Sequence, residues 1–450
     1  MNKEDFEAKL KQLRQEHEAQ TQEEAQRLRQ YLLDTHHLTN IEEMRRRLRE
    51  QFQATEYTAT GTIPNLMVQV NHQQSLAELD ERFIDWCQLG RYYPLEDIQY
   101  PTYYCTTAEE FYRQRLNLFQ LSQAQFAQKL KEMVDEAEEM AKQSAGQAGI
   151  FGEDIPGQGC YLNGWLFGRK YQRDPQECWQ DEQSRTEILS TAVHEKLGHG
   201  FLRNYSTIGR EVKRLGLLRY KLAQQAGVRF SDDPLFNLRV EQYNLIFSVS
   251  QLLEEGWATW IQNLFQFFSQ PENFPPPRFT IDDLLEAVDR FTPPALFDQR
   301  EILFAAIDLL FSEEVQGNGE EYLSQLRSAL DILMRAGIHV PSSRMAITQP
   351  LVYALGEILF HKAATRMGVT LMPYLALLAG NVNPQLEQLS LSDLTYFLTQ
   401  GDARLNPNTR LIALCNLPLK ADGFANLDHL AMAALEQYGF ASPKEWKAPK

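Results

Sequence analysis

The sequence predicts a mainly α-helical protein with a minor β element. Three observations carry that expectation. Apolar residues recur at three- and four-residue steps over much of the chain, which is the period of one helix face. Two such runs are headed by a Ser or Thr followed three residues later by Glu, the pattern of a capped helix start. Residues 144–168 interrupt the helical period with a run of glycines, where turns and a short strand fit better than helix.

Each element follows in order. Residues 1–55 are rich in Glu, Gln, Lys and Arg, with Phe6, Leu10, Leu13, Leu28 and Leu32 at helical spacing and a polar middle around His17 to Thr21. They predict a solvated amphipathic helix pair on the main body, with a partner-binding arm as the alternative. Thr107-x-x-Glu110 opens a long helix through Phe119, Phe126, Leu130, Met133, Ala137 and Met140. Inside the glycine-rich stretch, Cys160 to Phe167 is expected to form a short strand. Ser184-x-x-Glu187 opens a second helix through Ile188, Leu189, Ala192 and Val193. Pro234 starts one helix, or two in succession, carrying Leu245, Val249, Leu252, Trp260 and Leu264. Pro271, Pro275, Pro276 and Pro277 make a rigid loop, and Pro293 and Pro294 break the chain again. Further helices are expected at 298–313, 319–336, 350–366 and 393–400, then an irregular tail after Asn406 with one short helix near 427–438.

The bulk numbers limit the function classes. The chain has 450 residues, 43% hydrophobic and 23% charged, enough for a large buried core. Its formal net charge of −16 argues against a nucleic-acid backbone or an anionic membrane surface as partner. Cys87, Cys105, Cys160, Cys178 and Cys415 show no paired spacing, which suggests reduced thiols rather than a disulfide frame or a cysteine metal site. The opening residues Met1 to Phe6 lack the apolar core of a signal peptide. The apolar stretch Val369 to Ala379 is too short to span a bilayer. The expected setting is cytoplasmic.

One constellation carries chemistry. His194-Glu195-Lys196-Leu197-Gly198-His199 is followed much later by Glu254-Glu255-Gly256-Trp257-Ala258. Two imidazoles and a carboxylate supply the three protein ligands of a catalytic zinc site, leaving one position for water. Glu195 is left free to act as general base on that water. The usual spacing of the two histidines is four, which puts them on one helix face. Here it is five, so an unbroken α-helix would turn them about 140° apart. Both reach one ion only if the helix widens locally, as in a π-bulge. Gly198, just before the second His, is where such a distortion comes most easily. Three fixed residues also recur by chance, so the alternative is two histidines of one helix with no ion between them. Trp257 is expected to pack beside the ligand helix.

At these residues the chain resembles two families. His194 to Gly200 is similar to the His-Glu-Leu-Leu-Gly-His-Gly motif of the dipeptidyl peptidase III family. The partner motif there, Glu-Glu-Cys-Arg-Ala-Glu, is similar to Glu254 to Ala258, with Thr259 in place of its last acidic residue. The second is a bacterial family of zinc carboxypeptidase-like proteins with His-Glu-x-x-Pro-Gly-His, then Glu-Gly-Trp-Ala, then Gln-x-x-x-Tyr-x-x-Gly. This chain has Glu255-Gly256-Trp257-Ala258 and Gln349-x-x-x-Tyr353-x-x-Gly356, lacks the Pro and is one residue shorter between the histidines. The resemblance spans roughly residues 155–365 in motif order. It implies a two-lobed gluzincin-type zinc metallopeptidase, helical, with the site and its minor β element at a cleft. It implies His194, His199 and Glu255 as zinc ligands, Glu195 as general base and Tyr353 as oxyanion or substrate donor. His339 and His361 are weaker donor candidates.

The expected organisation is an N-terminal helical region (1–145), a zinc metallopeptidase core (146–405) and a C-terminal tail packed on it (406–450). The expected substrate is a peptide or small amide. The competing reading is a metal-containing or inactive scaffold that binds a protein partner through its N-terminal helices.

Overall fold

A computed structural model describes residues 30, 41–53, 101–117, 121–146, 149–155, 159–226, 234–269, 279–291, 300–312, 319–341, 348–367, 369, 372–382 and 385–416. The expectations for residues 1–29, Leu32, Cys87, the proline loop 271–277, Pro293, Pro294 and the helix near 427–438 lie outside them. Helices dominate the described residues, and the strands form one three-stranded and one two-stranded sheet. The mainly α expectation holds. Among the described residues no helix is long and apolar enough to cross a membrane.

In chain order the elements are α1 (Ile41–Gln53), β1 (Thr102–Cys105), α2 (Ala108–Leu116), α3 (Gln123–Gln143), β2 (Gly152–Ile155), β3 (Gly159–Asn163), α4 (Gly164–Tyr171) and α5 (Glu182–Ala192). A π-helix (Val193–Gly200) follows directly, then α6 (Phe201–Tyr205), α7 (Thr207–Ala226) and the 36-residue α8 (Pro234–Ser269). The remainder includes α9 (Ile281–Phe291), α10 (Arg300–Phe311), α11 (Gly319–Arg335), β4 (His339–Pro341), β5 (Thr348–Pro350), α12 (Leu351–Met367), α13 (Met372–Gly380) and α14 (Pro407–Asn416), and the helix expected at 393–400 is a short α-helix (Leu391–Thr395) running into a π-helix (Tyr396–Gln400). By contacts the chain divides into two units. One comprises Met1–Thr58, Leu245–Gly256 and Phe279–Ala448; the other comprises Ala59–Asn244, Trp257–Arg278 and Pro449–Lys450.

The second of these holds the three-stranded sheet. β3 is central, parallel to β1 with Thr102 opposite Cys160, and antiparallel to β2 with Gly152 opposite Leu162. Cys105, Phe111, Leu116, Leu130, Ile155 and Tyr161 bury their side chains together. The expected single helix from Thr107 is two. Thr107 does cap α2, its side chain accepting the Glu110 N–H, but α2 ends at Leu116. Ser122 and Gln125 then form a full capping box that starts α3. The expected strand at Cys160 to Phe167 ends at Asn163, whose side chain accepts the Leu166 N–H and so starts α4.

The first unit is built of helices around a polar-studded core. α1 buries Met44 and Leu48. It is held by ion pairs of Arg45 with Asp289, Arg47 with Asp308, and Arg49 with Asp282. Pro407–Asn416, expected as the start of an irregular tail, is a buried helix. Asn406 Oδ1 accepts the Thr409 N–H at 3.0 Å and Pro407 takes the first helical position, a complete start signal. Arg410 of this helix donates to the Leu378 and Ala379 carbonyls, satisfying the open end of α13. The cost of burying that guanidinium shows in its pKa, brought down to about 10.

α8 and α12 cross with only glycine between them. A Cβ on Gly356 would meet the Gly256 Cα at 2.3 Å and the Leu252 carbonyl oxygen at 2.8 Å. Both are backbone atoms and cannot step aside. Gly356→Ala is therefore expected to cost about 2 kcal/mol or more by overpacking, read from denaturant unfolding. A loss below about 0.5 kcal/mol, the usual range for a neutral surface change, would contradict this close approach.

Candidate metal centre

The site is positioned by α5. Its N-cap is Asp181, whose carboxylate accepts the Ser184 N–H at 3.0 Å. The helix thus starts three residues before the expected Ser184 box. Ser184 instead donates its hydroxyl to the Cys178 carbonyl at 2.6 Å. Glu187 is engaged by Lys170 and by the Tyr171 hydroxyl. Every residue from Thr186 to Ala192 is buried. A helix fixed on all sides leads into the histidines.

From Val193 the helix widens into π geometry and stays so to Gly200. In an i→i−5 ladder, residues five apart take the place that residues four apart hold in an α-helix. His194 and His199 come to one face, ring centroids 5.0 Å apart and planes at 80°. This is the distortion that the five-residue spacing demands. The ligand atoms of His194, His199 and Glu255 all lie within 4.8 Å of one another. His199 and Glu255 are buried and His194 is half-buried.

The widened turn is held by α8. Trp257, wholly buried, donates its indole N–H to the Leu197 carbonyl at 3.0 Å and packs on Phe201 at 5.8 Å. A Cβ on Gly198 would meet the Ala258 Cβ at 2.6 Å and its Cα at 2.8 Å. Gly198 therefore matters as the point of closest approach between the π-helix and α8. Trp257 packs beside the ligand helix as expected.

Glu195 is half-buried and faces the edge strand β2. The Asp154 N–H donates to its Oε2 at 3.0 Å. A Cβ on Gly152 would meet the Glu195 Cγ at 2.9 Å. Asp154 in turn pairs its side chain with Arg203 at 3.4 Å. Asn163 donates its N–H to the Phe151 carbonyl at 2.8 Å. By the alternation of an antiparallel ladder, Gly152 and Asp154 then point their backbone groups to the open edge. The edge strand beside the site is thus β2, while the strand expected within 160–167 is β3 at the centre of the sheet.

Beside Glu195 and His199 lies a cavity of about 310 Å³, with Gly152, Asp154 and one face of α7 among its walls. Burial, and next the nearby Arg203 charge, hold the His199 imidazole well below its ordinary 6.5. It is neutral, as a metal ligand must be. Burial pushes the Glu153 carboxyl up, opposed by Arg115. The donor set fits zinc: two imidazoles and a carboxylate in a partly buried site beside an open cavity. Cysteine chemistry does not compete. Cys105 and Cys178 are buried thiols raised to about 12 and about 11 by desolvation.

Tyr353 lies half-buried in the first turn of α12, three residues before Gly356, and is not among the residues lining the cavity. His339 sits on β4, its Nδ1 3.3 Å from the Gly337 carbonyl. His361 is buried in α12. The structure therefore brings His194, His199, Glu255 and Glu195 together. Sequence reading missed Gly152, Asp154 and the α7 wall. The polar residues at helical spacing within 207–226 were the available signal for the last.

Comparison with known protein families, with curated proteins and with solved structures finds no match.

Two predictions follow from this geometry. Purified protein should carry about one zinc per chain, and His194→Ala and Glu255→Ala should each lose it while Glu195→Gln keeps it, read by metal mass spectrometry. Metal content indifferent to both ligand changes would contradict the site. Burial also lowers His361 to about 4 from 6.5. The unfolded chain takes up that proton first as pH falls, so stability drops between pH 6.5 and about 4, by about 3 kcal/mol in all. His361→Gln should flatten the unfolding free energy against pH by about one proton over that window. An unchanged slope would show that His361 does not stay neutral in the fold.

Proposed function

We propose that the chain is a zinc-dependent hydrolase of the gluzincin metallopeptidase kind, cleaving peptide or small amide bonds. One observation carries the reading: the His194, His199 and Glu255 donors converge within 4.8 Å, and the adjoining Glu195 and His199 both line a ligand-sized cavity. Zinc held by these residues would polarise a water and the scissile carbonyl, making attack feasible near neutral pH.

The remaining work falls to the chain's own groups. Glu195 takes the proton from the attacking water and delivers it to the leaving amine. The Asp154 N–H on its Oε2 fixes the carboxylate, so it enters the reaction already oriented. The open edge of β2 offers the Gly152 backbone groups to an extended substrate chain, as in strand addition. Tyr353 is assigned as the donor to the oxyanion. It stands one turn from Gly356 on the same face of α12, and Gly356 touches α8 at Gly256, beside Glu255. The four cysteines among the described residues are buried free thiols, which fits a reducing, cytoplasmic setting.

Glu195→Gln is expected to lower kcat/KM on a cleaved peptide by about 100-fold or more with zinc retained. Tyr353→Phe should lower kcat more than it changes KM. A peptide-pool digestion followed by mass spectrometry checks both. Zinc-loaded protein that cleaves nothing, or a Gln variant with full activity, would sink the reading and leave a metal-binding scaffold.

A further inference from the structure

The cavity beside Glu195 has an unusual wall. Val212, Lys213, Gly216 and Arg219 of α7 all line it, at spacings that fall on one helical face. Arg203 of α6 and Arg115 of α2 add two further cations. Against these four stand three carboxylates, Glu153, Asp154 and Glu195. Arg115 pairs with Glu153 at 2.6 Å and Arg203 with Asp154 at 3.4 Å. The α7 cations meet neutral groups as well. The Lys213 ammonium donates to the Asn204 amide oxygen at 2.5 Å. The Arg219 guanidinium lies 4.5 Å from the centre of the Tyr243 ring.

The wall is also indented. A Cβ added to Gly216 would meet only the Tyr243 Cε2, at 3.7 Å. Gly216 is therefore not there for close packing, and its missing side chain leaves space between Lys213 and Arg219. A partly enclosed, cationic recess of this kind favours a planar anion that accepts several N–H bonds at once. The cavity volume of about 310 Å³ corresponds to a width of roughly 8 Å. An extended chain advances about 3.3–3.6 Å per residue, so the cavity holds about two residues beyond Glu195.

Resting on the hydrolase reading above, we infer that the Lys213–Arg219 wall binds a substrate carboxylate within about two residues of the scissile bond. Two sources share that chemistry: the free carboxyl end of a peptide, and an acidic side chain. The wall would make the enzyme selective for short acidic or carboxyl-terminal substrates and would exclude amidated or strongly basic ones.

Calorimetric titration of the zinc-loaded full chain carrying Glu195→Gln tests this without turnover. The probes are acetyl-dialanine as free acid, its carboxamide, and an acetylated alanyl-aspartyl carboxamide. The wall predicts at least about tenfold tighter binding of a carboxylate-bearing probe than of the plain carboxamide. Adding Lys213→Gln or Arg219→Gln should shrink that ratio below about threefold, and Lys213→Arg should restore most of it. Preference for the free acid alone assigns the wall to the chain end; equal preference for the aspartyl carboxamide assigns it to side chains. Equal binding of acid and plain carboxamide, no binding of any probe, or a preference that survives both Gln changes would overturn the inference. Hydrolysis is read separately on protein with Glu195 intact. A carboxylate preference with no hydrolysis of any peptide would overturn the hydrolase reading alone, and hydrolysis without the preference would overturn the wall alone.

Discussion

The widened helical turn from Val193 to Gly200 is the constraint on which the rest of the site depends. With α geometry through that segment, His194 and His199 would point about 140° apart, and no arrangement of Glu255 would gather all three donors. A π-helix gives up some hydrogen-bond quality and persists only where its surroundings hold it. Here α8 does so. The Trp257 indole holds the Leu197 carbonyl, and the contact between Gly198 and Ala258 leaves no room for a side chain between the two segments. The same helix carries Glu255, two residues before Trp257. One element thus both supports the distorted turn and carries the third candidate donor.

The geometry around Glu195 follows from that arrangement. Residues 193–200 continue directly from α5, which is buried and tied through Glu187 to Lys170 and Tyr171. Glu195 therefore sits on a rigid support, while its carboxylate is steadied by an amide of β2. In the proposed role of general base, a carboxylate held in this way would need little reorganisation. Asp154 serves twice, its backbone N–H on Glu195 and its side chain on Arg203. Arg203 also contributes to keeping His199 neutral.

Much of this was readable in the sequence because the chemistry needs particular residue types at particular spacings. The helical distortion followed from the His194–His199 interval, and Glu255 as a third donor from the separate Glu254-Glu255-Gly256-Trp257-Ala258 run. The start of α8 followed from Pro234. What escaped had a physical reason in each case. Asp181, three residues before Ser184, is an equally good cap, and two adjacent candidates cannot be ranked without knowing which amide each one meets. The Asn406-Pro407 start of α14 was masked by its polar surface pattern: Asn408, Thr409, Arg410 and Asn416 are all buried and spent on hydrogen bonds inside the core. Cys160 to Phe167 reads as a strand, and nothing in it tells centre from edge. Its β3 part is apolar because it lies at the centre of the sheet, while the edge strand Gly152–Ile155 carries polar Glu153 and Asp154. The signal for the cationic wall of α7 was ambiguous because charged residues at helical spacing ordinarily mark a solvated face.

X-ray absorption at the zinc edge, on metal-loaded full-length protein, tests the central claim most directly. Two imidazoles and a carboxylate on one ion predict nitrogen and oxygen scatterers at about 2.0–2.2 Å with the outer-ring signature of two histidines. Sulfur at about 2.3 Å, or an oxygen-only shell with no imidazole signal, would contradict it.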